Sequence, residues 1–391
     1  MWRGDVYAGR MNSIRLVLVA SLIALVAAAN SFAAESLVYF GTYTTGTSKG
    51  IYVSRFDSTT GKLTDPELVA EIENPTFVTV APGEHFLYAV SEVDKIGDKS
   101  TGAVKGYSVD AATGKLTPLN QQDSGGAGPC HISVDATDKT LLVANYGGGS
   151  VAALPIHADG SLGEATDIIQ HFGSSVNTNR QTAPHAHSIY VSPDNRFALN
   201  CDLGLDKVFT YRLDADAAKL SAGDPPFTTV APGSGPRHLV FSGDGKFVYV
   251  INEIIGTITV FSYDATTAAM TEVQTISSLP KDFTTLNTSS EIVLHPSGKF
   301  LYASNRGHDS IALFSVDQQT GILTFVEYQS VLGKKPRHFT LDPSGQWLIA
   351  ENQDSDSIVV FAIDADTGKL KPTGQTLSLG SPVCAVFVGA K

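Results

Sequence analysis

The chain has 391 residues, 42% of them hydrophobic and 17% charged, with 36 glycines, which supplies a sizeable core and excludes a disordered chain. A formal net charge of −12 makes it a poor partner for nucleic acid or for an anionic membrane surface. Cys130, Cys201 and Cys384 stand far apart, which argues against a disulfide framework and against a cysteine-based zinc site.

From the N-terminus, Asn12 to Arg15 is short and polar, Leu16 to Ala29 is an almost unbroken apolar run, and Ser31-Phe32-Ala33 follows with small residues at both ends. That layout predicts a secretory signal peptide over residues 1–33, cleaved after Ala33, with Met11 as an alternative start. The apolar run is short of the roughly 20 residues a membrane span needs, although an uncleaved anchor or a core helix is the other reading. Cleavage removes Arg3, Arg10, Arg15 and Asp5, so the mature chain, residues 34–391, carries about −14. It is expected to be exported, periplasmic or secreted, and free of the membrane once the signal is removed.

The rest of the chain repeats itself. A turn ending in Gly-Lys-Leu or a variant of it closes at Leu63, Leu116, Leu162, Leu220, Met270, Leu323 and Leu370, on average about 51 residues apart. Within a unit, Phe300 to Ala303, Ser310 to Ser315 and Leu323 to Val326 are β-branched or aromatic runs, and Pro296-Ser297-Gly298-Lys299 reads as a tight turn. No sustained helical periodicity appears. Four short strands in about 50 residues, seven times over, predict an all-β, seven-bladed β-propeller filling residues 34–391 as one domain. The first unit starts, at Leu37, on what is the second strand of later units, and Ser381 to Phe387 looks like a first strand left over. The two are expected to share a blade, closing the ring with strands from both termini.

A repeat can be aligned with itself. Counting from the turn after each first strand (Pro82, Ala136, Pro193, Gly243, Pro296, Pro343), the sixth residue back is Thr76, Cys130, His187, Arg237, Ser290 or Arg337. The fifth back is Phe77, His131, Ser188, His238, Glu291 or His338, and the tenth forward is Glu92, Tyr146, Leu203, Glu253, Arg306 or Gln353. The ninth forward is Ser91, Asn145, Asp202, Asn252, Asn305 or Asn352; asparagine suits strand-ending turns, so a structural reading competes with substrate contact there. The paired strands are antiparallel, so both series meet at one face of the disc. Arg237, Arg306 and Arg337 crowded there repel one another unless an anion or carboxylates such as Glu92, Glu253 and Glu291 lie between them.

Other motifs carry less. Gly147-Gly148-Gly149 opens no helix and reads as a turn. His185 and His187 form a close pair without further metal ligands nearby in sequence, so no metal and no cofactor is expected. There is no Gly-x-Ser-x-Gly nucleophile elbow.

Gly128-Pro129-Cys130-His131-Ile132-Ser133, His185-Ala186-His187-Ser188, Gly235-Pro236-Arg237-His238, Asn252-Glu253 and Lys335-Pro336-Arg337-His338, in this order and spacing, resemble the propeller-type lactonases. That family includes bacterial 6-phosphogluconolactonase and fungal 3-carboxy-cis,cis-muconate lactonizing enzyme. The resemblance covers roughly Leu37 to Val388 and implies His187, Arg237 and Glu253 as the active-site residues, with no metal. It implies a lactonase opening a small anionic sugar lactone, 6-phosphogluconolactonase-like. His131, His185, His238, Asn252, Asn305, Arg306, Arg337 and His338 are the candidate substrate contacts. A muconate-type lactonizing enzyme and an exported, non-enzymatic ligand-binding or scaffold propeller are the alternatives.

Overall fold

The computed structural model describes Met1 and residues 35–389, so the expected signal segment and cleavage site lie outside the described residues. From Glu35 onward the chain forms seven antiparallel sheets in sequence order. The strand runs expected around residues 300–326 are present as Phe300–Arg306, Ser310–Val316 and Leu323–Ser330.

Each blade is apolar on both faces because each packs between two others, so its middle strands alternate between two cores. In Glu35–Thr42, Leu37 and Tyr39 pack on the second blade through Val78, Leu87 and Ala89. Val38 and Phe40 turn the other way, onto Ile349, Ile358 and Val360 of the seventh. Equivalent apolar clusters fill the remaining blade junctions. Burying one such Leu or Phe is worth about 1.5–3 kcal/mol, so the stacked junctions carry most of the fold's stability.

The recurring turns add specific ties. Asp57, Asp110, Asp317 and Asp364 each accept backbone N–H groups two to three residues on, which shapes the bend. Gly114 and Gly368 close their turns at φ of 77° and 70°, where a side chain would be strained. Their carbonyls accept the buried hydroxyls of Tyr39 (3.0 Å) and Tyr302 (2.7 Å) from the preceding blade, so one residue both makes the turn and staples the junction.

The innermost strand of each blade touches that of the next around the full circle. Pro382–Val388 pairs antiparallel with Glu35–Thr42, Leu37 opposite Val388 and Gly41 opposite Cys384, so the first blade is built from both ends of the chain, as the repeat phase predicts.

Candidate active site

An irregularity at the start of the first strands builds the site. In Ala186–Val191, Ala186 pairs with Asp202 and Ser188 with Cys201, which leaves His187 unpaired. The same slip leaves out Arg237 between Pro236 and His238, and Arg337 between Pro336 and His338. Cys130 is skipped likewise, between Pro129 and His131. A bulge re-aims the residue it leaves out. Here it lets two consecutive polar residues both turn inward, one toward the face of the disc and the next deeper into the central channel.

The face residues surround a cavity of about 330 Å³ lined by Tyr43, Glu92, Cys130, Tyr146, Arg180, His187, Glu253, Thr288, Arg306 and Arg337. Glu253, which follows strand Phe247–Asn252, is its charge centre. Its Oε1 accepts from Arg180 Nη2 at 2.6 Å and its Oε2 from Arg306 Nη2 at 2.8 Å, while Arg237 Nε lies 3.2 Å from Oε2. Burial pushes the Glu253 carboxyl up, but Arg306, Arg237 and Arg180 outweigh it and hold the group at about 2. His187 Nε2 stands 3.9 Å from the same Oε2. Burial, followed by the Arg237 charge, drives this imidazole well below its ordinary 6.5, so it is neutral.

The expected crowding of guanidinium groups is relieved by Glu253 for Arg306 and Arg237, and by main chain. Arg306 donates to the carbonyls of Thr288 and Ser289, and Arg237 Nη1 to that of Ser290 at 2.9 Å. Arg337 makes no carboxylate hydrogen bond among the described residues and lies over the Tyr43 ring, 5.4 Å from its centre. Across from it, Glu92 accepts hydrogen bonds from Thr76 and from Tyr43 (3.1 Å). Burial raises the Glu92 carboxyl against the pull of Arg337.

The expected contact residues divide. Arg306, Arg337, His187 and Glu253 line the cavity, whereas Arg237 is buried beneath its wall. His185 lies behind the lining, stacked on Tyr146 at 4.4 Å, with Nδ1 bonded to the Tyr146 carbonyl at 3.0 Å, so it does not converge with His187 on a metal. His131, His238 and His338 are deeper in the channel. His238 Nδ1 meets Glu291 at 2.9 Å, and His338 Nδ1 meets Glu351 at 2.9 Å. Asn252 and Asn305 are engaged within the fold: Asn252 donates to Thr257 and Thr259, and Asn305 accepts from Ser278 and Ser289. This is the strand-ending role that asparagine suits.

Six lining residues lie outside the expected catalytic and contact set: Tyr43, Glu92, Cys130, Tyr146, Arg180 and Thr288. Of these, Glu92, Cys130 and Tyr146 stand at aligned positions of the repeat. Arg180 belongs to the connection between strands Asp167–Gln170 and Ala186–Val191, which is longer than the equivalent connections of the other blades. The sequence signal was the longest repeat interval, Leu162 to Leu220, which contains it.

The family description "Lactonase, 7-bladed beta-propeller" matches residues 37–387. A 6-phosphogluconolactonase of Bacillus subtilis is 38% identical over 350 residues, covering 90% of this chain and 97% of that protein. One from Formosa agariphila is 33% identical, covering 75% and 82%. The crystal structure of the Pseudomonas aeruginosa periplasmic gluconolactonase superposes with a TM-score of 0.86 at 37% identity, covering 91% of this chain and all of that one. With its ring, its bulged first strands and these matches along nearly its whole length, the chain belongs to the seven-bladed β-propeller lactonases.

Proposed function

We propose that the protein hydrolyses an anionic sugar lactone, 6-phosphogluconolactonase-like, with its own side chains as base and charge acceptors. The observation that carries this reading is one neutral imidazole opening on the same cavity as three guanidinium groups, of which Arg337 has no carboxylate hydrogen-bonded to it among the described residues. Water attacks the ring carbonyl carbon while His187 Nε2 takes its proton. The oxyanion that forms meets Arg306, which lines the cavity, and collapse of the intermediate breaks the ring C–O bond as His187 returns the proton to the leaving alkoxide. Arg337 holds the substrate's remote anion, and Arg237 acts from beneath by fixing Glu253. The relatives described as 6-phosphogluconolactonase and gluconolactonase support a sugar lactone as the substrate.

The test is a pH-stat assay on glucono-δ-lactone, its 6-phosphate and a muconolactone. Turnover of a sugar lactone is expected, with His187→Gln slower by about 10²–10⁴. Inorganic phosphate should inhibit the phosphorylated lactone more than sodium chloride of equal ionic strength, because it competes for Arg337 rather than merely screening it. A protein that binds phosphate yet opens no lactone would be a ligand-binding propeller instead.

We also propose that the chain is exported and cleaved after Ala33, which the periplasmic description of the Pseudomonas relative supports. N-terminal sequencing of the protein from its native host should then start at Ala34; an intact leader refutes it.

A further inference from the structure

Three guanidinium groups hold Glu253, and they are not held alike. Arg237 and Arg306 have side chains only 3% and 8% exposed, and both also donate to main-chain carbonyls. The Arg180 side chain is 35% exposed, and among the described residues its guanidinium is tied at Nη2 alone, to Glu253 at 2.6 Å and the Tyr146 hydroxyl at 3.3 Å. The backbone carrying it is firmly anchored. Asp206 accepts from Ser175 (2.5 Å) and Gln181 (2.8 Å) of the same connection, and from the Gly233 and Gly235 amides of the neighbouring one. The side chain can therefore swing while its base stays fixed.

The pocket's charge pattern also poses a chemical problem. His187 faces Arg237, Arg306, Arg337 and His238, with the Cys130 thiol and the Tyr146 ring beside it, and Glu253 Oε2 stands 3.9 Å from its Nε2. Glu253 in turn is shared among Arg180, Arg237 and Arg306, so little of its charge is left to stabilise an imidazolium. A base placed among cations takes a proton reluctantly.

We propose that Arg180 is an anion-operated latch on Glu253: it holds Oε1 and swings to the anionic group of an arriving lactone, leaving the carboxylate freer to stabilise His187 as it takes its proton. This rests on the lactonase reading and deepens it, because it makes the substrate's charge part of the activation. Arg180 is then a positioning residue acting through Glu253. No bond is made or broken by the latch; one ion pair is exchanged for another.

The latch predicts an unusual sign. In Arg180→Met, turnover of neutral glucono-δ-lactone should rise, because one of the three cations on Glu253 is permanently removed, while KM for the 6-phosphate should rise as a cation is lost. In the wild type, kcat should favour the phosphorylated lactone by about tenfold or more, and in Arg180→Met that preference should largely vanish. Arg180→Lys, which keeps a cation, should restore part of it. A readout independent of turnover is guanidinium NMR on isotope-labelled protein titrated with inorganic phosphate. The Arg180 signal, identified by its loss in Arg180→Lys, should move, and those of Arg237 and Arg306 should hold. An Arg180 signal indifferent to phosphate, or a Met variant that slows both lactones alike, overturns the latch. A wild type inert on every lactone overturns the hydrolase reading instead, and the NMR arm still decides whether Arg180 leaves Glu253.

Discussion

Glu253→Ala is expected to lose lactone turnover by about 10²–10⁴ and to be less stable by about 3–5 kcal/mol, the cost of leaving buried charges without their partner. Arg237 and Arg306 are both buried, and Glu253 is the carboxylate placed between them. Glu253→Gln keeps the volume and an oxygen acceptor, so it should recover much of the stability and little of the activity. Binding should move the other way. With the internal anion gone, the pocket gains net positive charge, and inorganic phosphate should bind the Gln variant more tightly than the wild type. Calorimetric titration checks this. Weaker phosphate binding in the Gln variant would mean that Glu253 orders the arginines rather than competing with ligands for them.

Acid should destabilise the protein in a broad, early slope. His131 and His187 lie well below 6.5 and His238 at about 4, each chiefly because burial penalises the charged ring. Below pH 6.5 the unfolded chain takes up protons that these folded sites refuse, so stability falls with pH through that window. The His238 difference alone corresponds to about 3 kcal/mol by pH 4. His338 opposes this: burial lowers it, but Glu291 and Glu351 raise it on balance, so its contribution grows in acid. Below 4.5 the loss continues, because Glu253 and Glu291 are both held at about 2 and must be protonated on unfolding. Burial raises Glu92 and Glu351 instead, and they offset part of it. Urea unfolding between pH 7 and 4 should show the slope, and His238→Asn should flatten it. A midpoint unchanged across that range would contradict neutral burial of the channel histidines.

How far the sequence could be read follows from where the repeat operates. Strand runs such as Phe300 to Ala303 are dictated by alternation and turn chemistry, which act locally, so blade number and the shared terminal blade were legible. Alignment of the units also brought out His187, Arg237, Glu253, Arg306 and Arg337, because equivalent positions on a ring meet at its axis. It was less informative about depth. His131 and Cys130 are neighbours in sequence, and only the bulge, a backbone irregularity without a residue signature here, puts one in the channel and the other at the cavity. Arg180 was illegible for the opposite reason, since self-alignment says nothing about inter-blade connections that differ in length.

The clasp between the two ends of the chain also orders events in time. Gln375 bonds Leu63 in both directions across 312 residues, and Pro382–Val388 completes the blade that Glu35 begins. Loop-closure entropy grows only with the logarithm of length, so joining the ends costs about 2 kcal/mol more than closing a single 50-residue unit. Thermodynamically the clasp is cheap, but kinetically it comes late. During synthesis each interior blade can condense from local hairpins, while Glu35–Thr42, apolar on both faces, waits with one edge bare. A bare apolar edge recruits strands from other chains. The last seven residues of the ring therefore serve as its stopper: a ribosome that stalls, or a protease that clips before Pro382, leaves a nearly complete disc with an adhesive rim, and such fragments should self-associate rather than circulate as small inactive propellers.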